Sequence, residues 1–239
     1  MPYANPQLKH LSNEWPAHSA APNTHQRVLD LVTRYLPGLA GTRIADLPCG
    51  AGAFSQRLGA LGADVLPVDI AAVEPFLADA AKRVLADANH ALPFGDAYFG
   101  ALVTIEGIEH LENPSLFLRE CARVVKPGSF IFLTTPNVDS YRSRRSVLFN
   151  GYHRYFRPFS DNDKDSGHLH PIDMVFMRGA TQKAGLEIVE VTVNRGEKKN
   201  WMYEMLRRRL TRKLPLYMRG EVPFYGEVII YVLRKASSL

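Results

Sequence analysis

Cysteine is scarce in this chain: Cys49 and Cys121 are the only two in 239 residues. That is too few for a disulfide framework and suits a reducing cytoplasm, the expected compartment. No stretch approaches the roughly 18–20 consecutive apolar residues of a membrane span. The first nineteen residues lack a basic segment followed by an apolar one, so no secretory signal is expected. Neither repeats nor a linker rich in Gly, Pro or Ser divides the chain, and one domain over residues 1–239 is expected. What is present is ordinary: 46% apolar and 22% charged residues, which excludes disorder, collagen-like fibres and low-complexity tails. A chain of this length can bury a sizeable α/β core.

Charge is unevenly distributed along the chain. The formal net charge of +5 hides a stretch, residues 142–219, that carries +9, while the remainder carries −4. Such asymmetry fits either an anionic partner at one face or a solvated basic surface.

Strand-like and helix-like segments alternate. Residues 26–36 place Val28, Leu31, Val32 and Leu36 at helical spacing. Strands are expected at 43–48, 63–69, 83–87, 99–105 and 129–135. Helices are expected at 53–61, 72–81 and 115–125, the last stopping at Lys126-Pro-Gly128. A helix at 172–184 and strands at 186–193 and 226–233 close the chain. The alternation predicts a doubly wound α/β fold with a parallel sheet covered on both faces. The last two strands lack a crossover helix and are expected to form an antiparallel β-hairpin.

Asp46-Leu-Pro-Cys-Gly-Ala-Gly52 joins the first strand to its helix. Gly50 and Gly52 let a ligand approach the backbone, and the helix N-terminus offers unpaired N–H groups. Loops of this kind lie at the C-terminal ends of parallel strands, where such sheets bind ligands. Asp69, seventeen residues after Gly52, is placed for a ribose diol, and Asp87 for an adenine amino group. Ser55 stands where a dinucleotide fingerprint wants glycine, which counts against a nicotinamide-dependent oxidoreductase. Asp46 would repel a diphosphate. A cationic ligand with an adenosine end fits these acids, and S-adenosylmethionine is that ligand.

The loop at Asp46 to Gly52 resembles motif I of class I S-adenosylmethionine-dependent methyltransferases, in particular those of ubiquinone synthesis. Val68-Asp69 looks like their ribose-binding acid, and Ala86-Asp87-Ala88 with Leu92-Pro93-Phe94 like their adenine segment. Glu106-Gly-Ile-Glu-His110, Arg123-Val-Val-Lys-Pro-Gly128 and Thr134-Thr-Pro-Asn137 continue the similarity. Pro48 departs from it, standing where the family more often has glycine, and removes a donor N–H from the loop. The resemblance implies a Rossmann-like seven-stranded sheet with a reversed last strand. It also implies cofactor contacts from Asp46, Cys49, Gly50, Gly52, Asp69, Asp87, Ala88 and Glu106.

Glu106, Glu109 and His110 share one face if their turn is helical. With His168 or His170 beyond, they make a candidate site for Mg2+ or another divalent cation; Glu106, Glu109, His110 and His170 are the expected ligands. This pattern is similar to the metal-dependent quinol and small-RNA O-methyltransferases of the family. Without metal, the same residues line an acceptor pocket, with Glu106, Glu109 and His110 as the catalytic candidates. His110 is then the first candidate general base, imidazole ordinarily titrating near neutral pH.

Residues 138–170 read as an acceptor-side lid. Tyr141-Arg-Ser-Arg-Arg145 and residues 152–159 interleave arginines with aromatics, suited either to stacking on bases or sugars or to packing within the lid. Residues 195–222 form a basic insertion between the last two strands, with an amphipathic run at 201–213 that fits a membrane surface or the domain itself. Residues 1–25 read as an N-terminal cover. The expected acceptor is a hydroxyl on a small molecule, sugar, glycolipid or quinol, and the basic stretch suits an anionic one. An RNA ribose stands second, and a non-catalytic nucleotide-binding module remains an alternative.

Overall fold

A computed structural model describes residues 20–156, 167–195 and 223–237. Seven strands form one sheet: β1 (Arg43–Asp46), β2 (Asp64–Asp69), β3 (Val84–Leu85), β4 (Phe99–Thr104), β5 (Val125–Pro136), β6 (Leu186–Val193) and β7 (Val228–Lys235). Their order is β3-β2-β1-β4-β5-β7-β6. Pairing is parallel from β3 to β5, and β7 runs antiparallel between β5 and β6. The expected α/β fold with its antiparallel end is the observed one.

The central strands are apolar on both faces because helices cover both. Ala45, Leu102, Ile131 and Leu133 enter one apolar cluster with Phe117, Leu118 and Cys121 of α3 (Pro114–Val124) and Met174 and Met177 of α5 (Met174–Lys183). Their strand neighbours Ile44, Ala101, Val103 and Phe132 enter a second with Val28, Leu31 and Val32 of α1 (Thr24–Tyr35) and Phe54 and Leu58 of α2 (Ala53–Ala60). Successive strand residues point to opposite faces, so two cores form from one sheet. Side chains set the starts of α3 and α5. Asn113 accepts from the Leu116 N–H at 2.9 Å and Asp173 from the Phe176 N–H at 2.7 Å, each satisfying a donor that has no partner inside the helix.

Three local expectations need correction. Residues 72–81 form no α-helix; only one 3-10 turn, Ala80–Lys82, is present. Pro75 disfavours helical geometry at Glu74 and withholds its own N–H, and Asp79 turns its side chain onto the Ala81 N–H. The strand expected at 83–87 contracts to Val84–Leu85, an edge piece with Leu85 59% exposed. Lys126-Pro-Gly128 does follow the end of α3, but the chain passes directly from Val124 into β5 and carries these residues in the strand. Gly128 takes φ +77° there, and the β4–β5 register shifts between Phe99 and Ala101.

One helix was not anticipated. The arginine cluster at 142–145 lies in α4 (Tyr141–Asn150), capped by Ser140, with Ser143 as its buried residue. Residues 1–19, 157–166 and 196–222, and with them the amphipathic run at 201–213, lie outside the described residues. Among the described residues no helix is long and apolar enough to cross a membrane.

Candidate functional site

The C-terminal ends of β1, β2 and β4 gather the candidate residues. After β1 the chain bends sharply: the Gly52 N–H bonds the Cys49 carbonyl at 2.8 Å, with Gly50 at φ +52° and Gly52 at φ +81°. A Cβ on Gly52 would lie 2.9 Å from Cε2 of Phe76, so glycine is required there by both backbone and space. Gly50 faces open space. Its N–H bonds Asp69 Oδ2 at 2.8 Å, and the Ala71 N–H bonds Asp69 Oδ1 at 3.2 Å. The acid ending β2 therefore shapes the glycine loop.

Asp46, ending β1, is 1% exposed and accepts from the Ser55 hydroxyl at 2.6 Å. Burial pushes its carboxyl up to about 7, against the Ser55 bonds, with a smaller contribution from the Asp69 charge. Burial likewise raises the Cys49 thiol to about 12, with Asp46 and Asp69 adding to it, so Cys49 is packing and not a nucleophile.

Asp87 stands just beyond β3 and organises its own turn. Oδ1 accepts from the Asn89 N–H at 2.9 Å and from Asn89 Nδ2 at 3.1 Å, and Oδ2 lies 3.2 Å from His90 Nδ1. Ala88 packs partly buried on the core. The following segment is held by Arg123, which donates to the carbonyls of Leu92 (3.0 Å) and Phe94 (2.8 Å) and to Glu120 and Asp96. Glu120 in turn accepts from the Leu92 N–H at 2.8 Å. Spacing alone offers no physical reason for Arg123; in the fold it fixes residues 92–96, the segment that follows Asp87 and Ala88. Ile70, directly after Asp69, is 67% exposed.

Past β4, Glu106 takes φ +49°, with its N–H held by Thr134 Oγ1 at 3.0 Å and the Thr134 carbonyl at 3.3 Å. Burial raises its carboxyl, and the Ala21 backbone N–H partly offsets this. Glu109 and His110 follow in a 3-10 turn, Ile108–His110. Glu109 is fully buried and neither oxygen has a hydrogen-bond partner of good geometry among the described residues. Burial pushes it up to about 8, only partly offset by its own N–H and the Thr135 hydroxyl.

The structure brings Glu109, His110 and His168 together, with one ligand atom from each within 4.8 Å of the other two. Glu106 and His170 are not members of this group. The His170 and Leu169 N–H groups instead bond the Glu109 carbonyl oxygen, at 3.1 and 2.8 Å. His110 Nδ1 lies 3.0 Å from the Gly167 carbonyl oxygen and His168 Nδ1 lies 2.8 Å from that of Tyr155. A carbonyl oxygen only accepts, so in each neutral ring Nδ1 carries the proton and Nε2 the lone pair. The rings meet edge to face, 4.8 Å between centroids.

A family model described as a methyltransferase domain matches residues 20–191. The chain belongs to the class I S-adenosylmethionine-dependent methyltransferases. Among curated relatives, this methyltransferase is 31% identical over 152 residues to the mitochondrial ubiquinone biosynthesis O-methyltransferase of Rattus norvegicus, covering 56% of this chain and 44% of that one. It is 31% identical over 146 residues to the ubiquinone biosynthesis O-methyltransferase of Xanthomonas oryzae pv. oryzae, covering 53% and 58%. The methyltransferase thus spans about half the length of the curated relatives it matches. Its fold is similar to that of an Archaeoglobus fulgidus SAM-dependent methyltransferase, with TM-score 0.55, 19% identity and coverage of 89% and 95%. An S-adenosylmethionine-dependent methyltransferase from Mesorhizobium loti has the same TM-score, with 18% identity and coverage of 86% and 96%.

Proposed function

We propose that this methyltransferase transfers the S-adenosylmethionine methyl group to a hydroxyl oxygen of a small, quinol-like acceptor held at Glu109, His110 and His168. The observation that carries this reading is that cluster: a buried carboxyl and two imidazoles presenting lone pairs, next to the family's cofactor loop. The names of the relatives, ubiquinone biosynthesis O-methyltransferases, support the acceptor class.

In this reading Gly50 and Gly52 admit the cofactor to the backbone, Asp69 adds ribose hydroxyls to the N–H groups it already accepts, and Asp87 with Ala88 borders the adenine. Asp46 and Glu106 supply negative charge near the amino acid end of the cofactor. The acceptor oxygen forms its bond to the methyl carbon as the carbon–sulfur bond breaks, leaving a neutral thioether. His110 Nε2 takes the hydroxyl proton as that bond forms. The sulfonium is already activated, so the protein's main contribution is alignment.

The same donor set fits a divalent cation. One buried carboxyl without good partners and two imidazoles whose Nδ1–H groups are fixed by carbonyls are the features of a mixed O/N site. Glu109, His110 and His168 would hold it, and when bound its charge lowers the pKa of the acceptor hydroxyl.

Labelled methyl transfer to quinol, glycan and RNA acceptors, with chelator and with added Mg2+ or Mn2+, tests both statements. Label on a quinol-type hydroxyl is the expected result; label on RNA or glycan alone would refute the acceptor class. Loss of turnover in chelator, restored by the metal, supports the cation. Unchanged turnover removes it.

A further inference from the structure

We propose that Ser143 and His153 are a positioning pair that locks the tautomer of His168. Gly151, at φ +82°, ends α4 with its N–H on the Val147 carbonyl at 3.0 Å and turns the chain back along the helix. That return carries His153 to the first turn of α4, where Ser143, wholly buried, meets His153 Nδ1 at 3.0 Å. The Arg154 N–H points at the same hydroxyl oxygen, 3.4 Å away. The Ser143 hydroxyl has one hydrogen and two lone pairs, so beside the Arg154 N–H it pairs with His153 Nδ1 as donor or acceptor according to the His153 tautomer. Burial keeps His153 below the usual imidazole range, with Arg144 acting in the same sense and Asp139 and Asp173 opposing it.

The consequence reaches the acceptor cluster through the next three residues. The Phe156 N–H closes a turn on the His153 carbonyl at 2.9 Å, which presents the Tyr155 carbonyl to His168 Nδ1 at 2.8 Å. The Phe156 ring lies 6.3 Å from that of His153 and 5.2 Å from that of His168. A tight helix-to-turn contact thus sets which nitrogen of His168 bears the proton. Partners behind an imidazole fix its orientation and tautomer in this way, and their loss commonly costs 10- to 100-fold in function. The pair bonds none of Glu109, His110 and His168 directly; it acts through the Tyr155 carbonyl.

This inference rests on the reading of Glu109, His110 and His168 as the acceptor site, but its first readout does not need turnover. In two-bond proton–nitrogen spectra of protein with 15N-labelled histidine, assigned with His168→Gln, His168 is expected as the single Nδ1–H tautomer. Ser143→Ala and His153→Ala are expected to mix the two tautomers and lower kcat by about tenfold, with KM for S-adenosylmethionine unchanged. His153→Asn puts an amide, able to donate or accept, where Nδ1 lies and is expected to restore both. Wild-type His168 protonated at Nε2 would overturn the proposal. So would an unchanged tautomer in Ser143→Ala and His153→Ala proteins that melt like the wild type. Should those two variants not fold, a single shared tautomer in wild type and His153→Asn supports the pair, and a mixture in His153→Asn overturns it. A tautomer change in a protein that methylates no hydroxyl would sink the proposed function and leave the positioning pair standing.

Discussion

Asp46 is expected to couple cofactor binding to a proton. Its carboxyl is buried behind the glycine loop and burial raises it to about 7, so at pH 6 it is mostly protonated in the free protein. A cationic ligand favours the ionised form, so binding at low pH must release that proton. The apparent Kd then carries a factor of about 11 at pH 6 and about 1.1 at pH 8, roughly a tenfold tightening as pH rises. The ligand's own amino group titrates near 8, which is why the comparison is with Asp46→Asn, where that titration persists and the Asp46 contribution vanishes. Calorimetric titration with S-adenosylmethionine, repeated in buffers of different ionisation enthalpy, reads both affinity and protons released. The stability of the free protein has its own sign. A carboxyl at about 7 folded and 3.8 unfolded binds more protons folded, so stability falls as pH rises through that window. The full loss is roughly 4 kcal/mol, and Asp46→Asn should be the more stable protein at pH 8. Equal pH dependence of binding in wild type and Asp46→Asn would refute the reasoning.

Gly52→Ala places a side chain at φ +81° and 2.9 Å from the Phe76 ring; a loss of about 1–2 kcal/mol in chemical denaturation and weaker cofactor binding are expected. Arg123→Ala releases Leu92, Phe94, Asp96 and Glu120 together. A lowered Tm is expected, with a larger loss of affinity for S-adenosylmethionine than for free methionine, because in the proposed reading the loop borders the adenine and not the amino acid. Glu109→Gln removes a carboxyl held up to about 8 by burial. Since ionising it costs stability as pH rises from about 4.5 through 8, thermal melts should show the variant gaining on the wild type across that range, while turnover falls.

How much of this could be read from the sequence follows from the range of each interaction. The interiors of β1 and β4 are apolar on successive residues because both faces are covered, and Ile44, Ala45, Ala101 and Leu102 show that directly. Asp46, Gly50, Gly52 and Asp69 were legible because turn geometry and strand ends are local. The 72–81 helix failed where a favourable pattern met Pro75, and α4 was missed because its arginines and aromatics obscure an apolar stripe that hardly exists: Leu148 and Phe149 are 77% and 75% exposed. The choice between His168 and His170 could not come from spacing. It depends on Tyr155 and Gly167 carbonyls, and on the Glu109 carbonyl that binds the backbone of His170, all contacts made between segments. Arg123 is the same case, since its role exists only once residues 92–96 fold back onto α3.

The central claim is that methyl transfer to oxygen takes place at the Glu109, His110 and His168 cluster, and His110→Ala tests it most directly. With labelled S-adenosylmethionine and a quinol-type acceptor, wild-type protein should place the label on a hydroxyl oxygen. His110→Ala should lower kcat by about 100-fold or more, with cofactor affinity in calorimetry unchanged. Wild-type turnover in His110→Ala, or label on carbon or nitrogen of the acceptor, would contradict the account.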